Sequence, residues 1–350
     1  MARRSPSDST AHSRALVPSL AVIAAASLWS TLGISYEILL HGGGTDRVTM
    51  VTLRLTIAAL VVLAYALMRR PEALRVPRAA RASLLGTGVV SFGVFYVALI
   101  YAFHWSSVPV ATVLLYTAPA WVALGEHLFL GYRMTRTATI ALGATLLGAV
   151  LVADILRGTG ELTLKGIAAG LFSAVTYSSM SLFGKRAMDS VPPLTVMVYG
   201  MGIGALCLIP VKLLVSGPTL PEPGLLLRIA LWPALAVTVV PVALYTWGLS
   251  MLRPSTASIL ATVEPVFAIA LAWLILDQHL HPAQIVGAAL VLGAAVYLSL
   301  CGLGQVAPMP TLGMIRAFPE DFAAHIEEHR CPAGVCPVES GAPAATAAGD

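Results

Sequence analysis

The chain of 350 residues is 57% hydrophobic and 11% charged, with a net charge of +4 and a mean hydropathy of +0.84, whereas an ordinary soluble domain carries about 25% charged residues. Apolar surface on that scale has to face lipid, and spans of about 20 residues each absorb most of it, leaving no connection long enough for a separate catalytic domain. The basic residues form no long run, which sets nucleic acid aside as a partner, and four scattered cysteines, Cys207, Cys301, Cys331 and Cys336, define no disulfide framework.

In chain order, a polar segment 1–16 is followed by ten apolar stretches at 17–40, 48–68, 83–104, 108–131, 134–155, 163–184, 194–215, 225–249, 255–276 and 282–301. The first runs from Val17 past Trp29 to Tyr36 without a small-residue cleavage site, so it reads as a span and not as a removed leader. Very short links at 105–107 and 251–254 make hairpins of the third and fourth stretches and of the eighth and ninth. Positive residues favour the cytoplasmic side. Fifteen of the 21 Lys and Arg fall on connections sharing a side with the N-terminus, five fall opposite, and Arg54 lies inside the second span. That bias predicts a multi-pass protein of the cytoplasmic membrane with both termini in the cytoplasm.

Displacing the chain by 146 residues aligns the first five stretches with the last five, pairing Ser27 with Ser173, Ser35 with Ser181, Ala111 with Ala257, Leu114 with Leu260 and Pro119 with Pro265. Five is odd, so the second unit enters the membrane upside down. The expected fold class is an all-α polytopic membrane protein of ten transmembrane helices in two inverted five-helix repeats, 17–155 and 163–301, with a cytoplasmic segment 1–16 and a mostly disordered cytoplasmic tail 302–350. Carriers that alternate access use such symmetry. Pro119 and Pro265 each remove a backbone donor within a span. Freed carbonyls at membrane depth are tolerated where they line a cavity or find new partners, so the cavity is expected between the fourth and ninth spans, the alternative being a kink that only improves packing.

Trp29-Ser30, Arg54-Leu55 and the run Glu264-Pro265-Val266-Phe267 make the chain, over roughly residues 20–300, resemble the ten-span EamA-type members of the drug/metabolite transporter superfamily. The resemblance implies an inner-membrane carrier, often an exporter of amino acids, nucleobases or other small metabolites, with a central pocket between halves. The family often ends its fourth and ninth spans with Gly-Glu-Arg or Gly-Glu-Lys, whereas this chain has Gly131-Tyr132-Arg133 and Asp277-Gln278-His279. No role tied to those glutamates carries over.

A charge near the bilayer centre costs about 2.5–3.5 kcal/mol on insertion scales, so each needs a partner, a cavity or neutralisation. Glu264, near the middle of the ninth span, is the first candidate for binding a substrate amine or a proton. The competing reading is a neutral carboxyl bonded to a freed carbonyl. Glu126, beside His127, fits a proton relay or a side chain reaching for the headgroups. Glu37 and Arg54 lie near the outer face on consecutive spans and fit an ion pair that staples the helices or gates the outer end. Trp29, Tyr96, Tyr101, Tyr116, Tyr177, Tyr245 and Trp247 offer rings to enclose an apolar or cationic solute, with Ser178, Ser179 and Ser181 as hydroxyls. Trp105, Tyr132 and Trp232 suit an interfacial belt instead. Gly200, Gly202 and Gly204, with Gly166 and Gly170, read as close helix packing.

The tail carries a short helical pattern over 318–330, with His325 and His329 one turn apart and Cys331 and Cys336 following. These are soft-metal ligand types at no standard spacing, so no metal and no cofactor is expected. Without a Walker loop, His-Glu-x-x-His or Gly-x-Ser-x-Gly, the expected function is a non-enzymatic secondary transporter, moving a small metabolite outward with protons as the coupling ion. Its partners are the solute and the lipid bilayer. A polytopic membrane enzyme and a channel are the competing classes.

Overall fold

The computed structural model describes residues 6–40, 45–106, 108–131, 135–152, 163–276 and 282–306, and all regular structure among them is helical. Helices α1 (Pro6–Trp29), α2 (Thr31–Leu40) and α3 (Arg47–Arg69) lead to a 3₁₀ turn, Pro71–Leu74. Helix α4 (Arg78–Gly86) continues through a π-helical stretch, Thr87–Val94, into α5 (Phe95–Trp105). Then come α6 (Val108–Leu115), α7 (Ala118–Leu130), α8 (Arg136–Val152), α9 (Leu164–Met188) and α10 (Pro193–Val215). Helix α11 (Pro223–Ile229) likewise passes through a π-helical stretch, Ala230–Val239, into α12 (Val240–Met251), before α13 (Pro254–Ala261), α14 (Glu264–Leu276) and α15 (Pro282–Val306).

Polar groups point inward and large apolar ones outward, as lipid demands. Met68, Phe129, Leu206 and Leu214 are largely exposed, whereas Ser173, Thr176, Ser181, Thr195 and Thr246 are buried. Most buried hydroxyls bond a carbonyl one turn back in their own helix, Ser178 to Val175 and Thr246 to Val242, each at 2.7 Å, so they satisfy themselves without a cross-helix partner. The main pairings are α8 on α15, α3 and the first π-helical stretch on α10, α1 on α12, and α5 on α9.

The division into ten transmembrane helices and two inverted five-helix repeats is corrected by the helices themselves. Among the described residues, six are long and apolar enough to cross a membrane: Arg47–Arg69, Arg78–Trp105, Val110–Leu130, Leu164–Met188, Pro193–Val215 and Pro223–Met251. The first expected span divides after Trp29, and Leu16–Trp29, Ala138–Leu151 and Pro282–Ala294 are the shorter apolar helical stretches among the described residues. The ninth is cut at Thr262-Val263 into helices of 8 and 13 residues, as the fourth, still counted as Val110–Leu130, is cut at Tyr116-Thr117. Hydropathy adds apolar residues without regard to whether one hydrogen-bond ladder runs through them, and so joined pieces that prolines and hydroxyl-bearing turns separate. The fold is an all-α polytopic membrane fold with, among the described residues, six long apolar candidate spans. The expected tail helix with His325, His329, Cys331 and Cys336 lies outside the described residues, as do Tyr132, Arg133 and Asp277-Gln278-His279.

Two contacts fix helices that later frame the site. A Cβ on Gly204 of α10 would stand 2.4 Å from the Phe92 Cβ in the first π-helical stretch, a separation only a missing side chain permits, whereas Gly202 faces open space. Gly204→Leu should therefore lower stability by about 1–3 kcal/mol or more, read as a fall in Tm of the detergent-purified protein, while Gly202→Leu leaves Tm nearly unchanged.

Asp46 caps α3. Its Oδ1 accepts from the Val48 and Thr49 N–H groups at 2.9 and 3.0 Å, its Oδ2 from the Thr49 hydroxyl at 2.6 Å, and Ser216 at the end of α10 donates to Oδ1 at 2.8 Å. Partial burial pushes the carboxyl upward, but the bonds from Thr49, Ser216 and Val48 outweigh it and hold the group below its ordinary value of 3.8. A depressed carboxyl contributes stability above its unfolded pKa that is lost as pH falls through the folded one. Asp46→Ala should cost about 1 kcal/mol at neutral pH, and the Tm gap from wild type should close as the buffer is acidified below about pH 4.

Candidate functional site

Two helices are interrupted at corresponding places. Between α6 and α7 the chain turns at Tyr116-Thr117, and between α13 and α14 it turns at Thr262-Val263. Pro119 and Pro265 are each the second residue of the helix that restarts. There the missing N–H is one of the unpaired donors that every helix start carries, so proline is well suited to it. The prolines thus mark where a new helix begins; they do not bend a continuous one. Short-range bonds close each turn: Thr117 N–H to Leu114 O at 3.1 Å, Thr262 N–H to Ile259 O at 3.1 Å and Val263 N–H to Leu260 O at 3.3 Å.

Glu264 is the first residue of α14, at the end where the helix dipole favours negative charge. It is partly buried, and its carboxyl interacts electrostatically with the phenols of Tyr116, at the other break, and Tyr177, in the middle of α9. From Tyr177 a lane of rings extends both ways. Tyr177 meets Phe95 at 5.1 Å between centroids, and Phe95 meets Tyr96 at 4.9 Å. The Arg54 guanidinium sits over the Tyr96 ring, 5.2 Å from its centroid. In the other direction Tyr177 interacts with Tyr245, which shares a 2.7 Å hydrogen bond with Ser181 and packs on Trp29 at 5.5 Å. Trp29, Tyr96, Tyr116, Tyr177, Tyr245, Glu264 and Arg54 therefore form one connected cluster drawn from α1, α3, α5, the α6–α7 break, α9, α12 and α14.

Two of the expected ring residues lie elsewhere. Tyr101 is 43% exposed and stacks on Trp105 at 4.8 Å, lining a separate groove of about 420 Å³ with Arg47, Val97 and His104. Trp247 is 37% exposed. Tyr101 stands five residues from Tyr96 and Trp247 two from Tyr245, offsets of about 140° and 160° around a helix, so each turns away from its inward neighbour. Glu37 lies in α2, and its side chain is outside those described.

Glu126 is buried at 2% exposure and accepts from Arg253 Nε at 2.8 Å and from the Ser255 N–H at 3.2 Å. It thereby ties α7 to the start of α13. Beside it, Lys185 Nζ donates to the carbonyls of Leu249, Ser250 and Leu252 at 2.8, 3.0 and 2.8 Å, clasping α9 to the end of α12. These two clasps close the end of the bundle around the α12–α13 turn. The Lys185 clasp and the Arg253 partner of Glu126 were missed by sequence reasoning; the only signal was a pair of cations, Lys185 and Arg253, each at the end of an apolar run. Ser179 bonds Ser91 across to the first π-helical stretch at 2.6 Å and, with Ser178, lines an open apolar groove of about 620 Å³ between α7 and α9. Among the described residues there is no group of three metal-ligating side chains.

Comparison with known proteins adds a second line. The model of the EamA-like transporter family matches twice, at residues 17–153 and 164–300. The chain is 27% identical over 280 residues, 79% of its length and 94% of the relative's, to an uncharacterized transporter of Archaeoglobus fulgidus. It is 25% identical over 223 residues, 59% of its own length and 63% of the other's, to an uncharacterized transporter of Synechocystis. A short likeness to the NADP-reducing hydrogenase subunit HndC of Solidesulfovibrio fructosivorans, 45% over 38 residues, spans 11% of this chain and 8% of that one and bears on neither fold nor site. A crystal structure superposes with a TM-score of 0.68 at 22% identity, over 81% of this chain and 97% of that one, a likeness of fold alone.

Proposed function

Because the chain belongs to the EamA-like transporter family, matched over both 17–153 and 164–300, we propose that it is a secondary transporter that carries a small metabolite across the cytoplasmic membrane by alternating access. The observation that supports this most is Glu264: a carboxyl at the restart of a broken helix, in electrostatic contact with Tyr116 and Tyr177 from two other segments. A carboxyl so placed binds a proton or a substrate amine, and the rings of Trp29, Tyr96 and Tyr245 receive the rest of the solute. Pro119 and Pro265 mark the two helix starts at the breaks.

The carrier works by closing one end while the other is open. Glu126 with Arg253, and Lys185 with its three carbonyls, form the clasp on the side that the basic residues assign to the cytoplasm. Solute in the central cluster is then released away from the cytoplasm, and a proton exchanged at Glu264 couples the cycle. Segments 1–16 and 302–350 extend into the cytoplasm. The direction is tested in cells: those expressing the chain should tolerate a toxic amino-acid analogue, nucleobase analogue or amphiphile better than controls and hold less of it. Greater sensitivity with greater accumulation would reverse the direction.

A further inference from the structure

Arg54 is 2% exposed, and its Nε is buried without a hydrogen-bond acceptor. It lies on α3 seven residues beyond Arg47, about 10 Å along the helix from that end. A guanidinium cannot lose its charge in a protein, so burial at that depth leaves a full positive charge whose cost must be offset by something. Among the described residues no carboxylate forms an ion pair with it. Its neighbours are the Tyr96 ring, which it covers at 5.2 Å, and the phenol of Tyr36. A ring face offsets part of a cation's burial, and the Tyr96 hydroxyl engages part of the guanidinium, but the in-plane Nε–H is left unmet. At the other end of the lane of rings stands the carboxyl of Glu264.

We propose that Arg54, backed by Tyr96, is the subsite for the carboxylate of the transported solute. This rests on the transport reading and names the substrate class: a small organic acid whose apolar or amine-bearing body lies along Phe95, Tyr96 and Tyr177 toward Glu264. A carboxylate is planar and meets the guanidinium fork edge-on with two parallel bonds, while the ring of Tyr96 occupies the guanidinium face and so leaves its edges for the ligand. The bound carboxylate satisfies the Nε–H that the protein leaves without an acceptor.

The test uses the full chain and matched probes: phenylacetate, benzoate and succinate against phenylacetamide, benzamide and succinamide. Binding is read by the ligand-induced rise in Tm, with counterflow in proteoliposomes run in parallel. At least one acid should bind wild type about tenfold or more tighter than its amide. Arg54→Gln should abolish that preference, and Arg54→Lys, which keeps the charge but not the fork, should retain part of it. The lysine variant keeps the test decisive if the glutamine variant does not fold. Acids and amides binding alike, or a preference undiminished in both variants while solute counterflow persists, overturns the subsite alone. No counterflow of any solute overturns the transport reading and the subsite with it.

Discussion

Glu264→Gln is expected to leave a folded protein in the membrane whose transport is abolished or uncoupled from the proton gradient. Glutamine has nearly the same shape and volume, so the packing around the start of α14 is preserved. What it cannot do is exchange a proton or neutralise an amine. A hydrogen bond to a charged group is worth about 1.5–3 kcal/mol, so the loss in transport should be about tenfold to a hundredfold, with Tm equal to or above that of wild type because an ionisable group has left the membrane interior. Transport and Tm measured on the same preparation check both halves. Undiminished, still proton-coupled transport would remove Glu264 from the site.

The second large effect is at the clasp. Glu126→Ala removes the acceptor of the Arg253 Nε–H and of the Ser255 N–H, both of which point at the carboxylate. Stranding partners of a buried pair is more harmful than replacing the pair, and with Arg253 21% exposed the cost is on the order of 2–3 kcal/mol. The α12–α13 turn should loosen as well. A thiol introduced by Ser255→Cys, at a position 4% exposed, should react with a polar maleimide faster in the Glu126→Ala background than in the wild-type one. Glu126→Gln should be milder, since an amide oxygen still accepts from one donor. Equal labelling in both backgrounds would mean that Glu126 holds helices together without governing access.

The membrane class and the helical composition were legible because they depend on a sum, the apolar content of the chain. The number of spans was not, because it depends on hydrogen-bond continuity. Thr262-Val263 and Ser30 interrupt stretches that hydropathy reads as unbroken, and proline signals a helix start as readily as a kink. The π-helical stretches were also hidden. Pro233, which cannot donate, and Thr238, whose hydroxyl bonds the Pro233 carbonyl at 2.7 Å, were the available clues in the second of them. Within the cluster, Glu264, Tyr116, Tyr177 and Tyr245 could be picked out as polar groups in apolar surroundings. Tyr101 and Trp247 look the same in sequence, and only the helix rotation separates them. Arg253 could not be assigned to Glu126 because the two stand 127 positions apart and no local pattern encodes the pairing.

The most direct test is counterflow in proteoliposomes containing the whole chain, loaded in turn with unlabelled amino acids, nucleobases and organic acids and given labelled tracer outside. A carrier built around Glu264 should accumulate at least one tracer transiently above equilibrium, with a rate that saturates and depends on unlabelled solute inside, and Glu264→Gln should change its coupling or its rate. Flux that rises linearly with tracer, ignores solute on the far side and is the same in Glu264→Gln would contradict it and describe a channel instead.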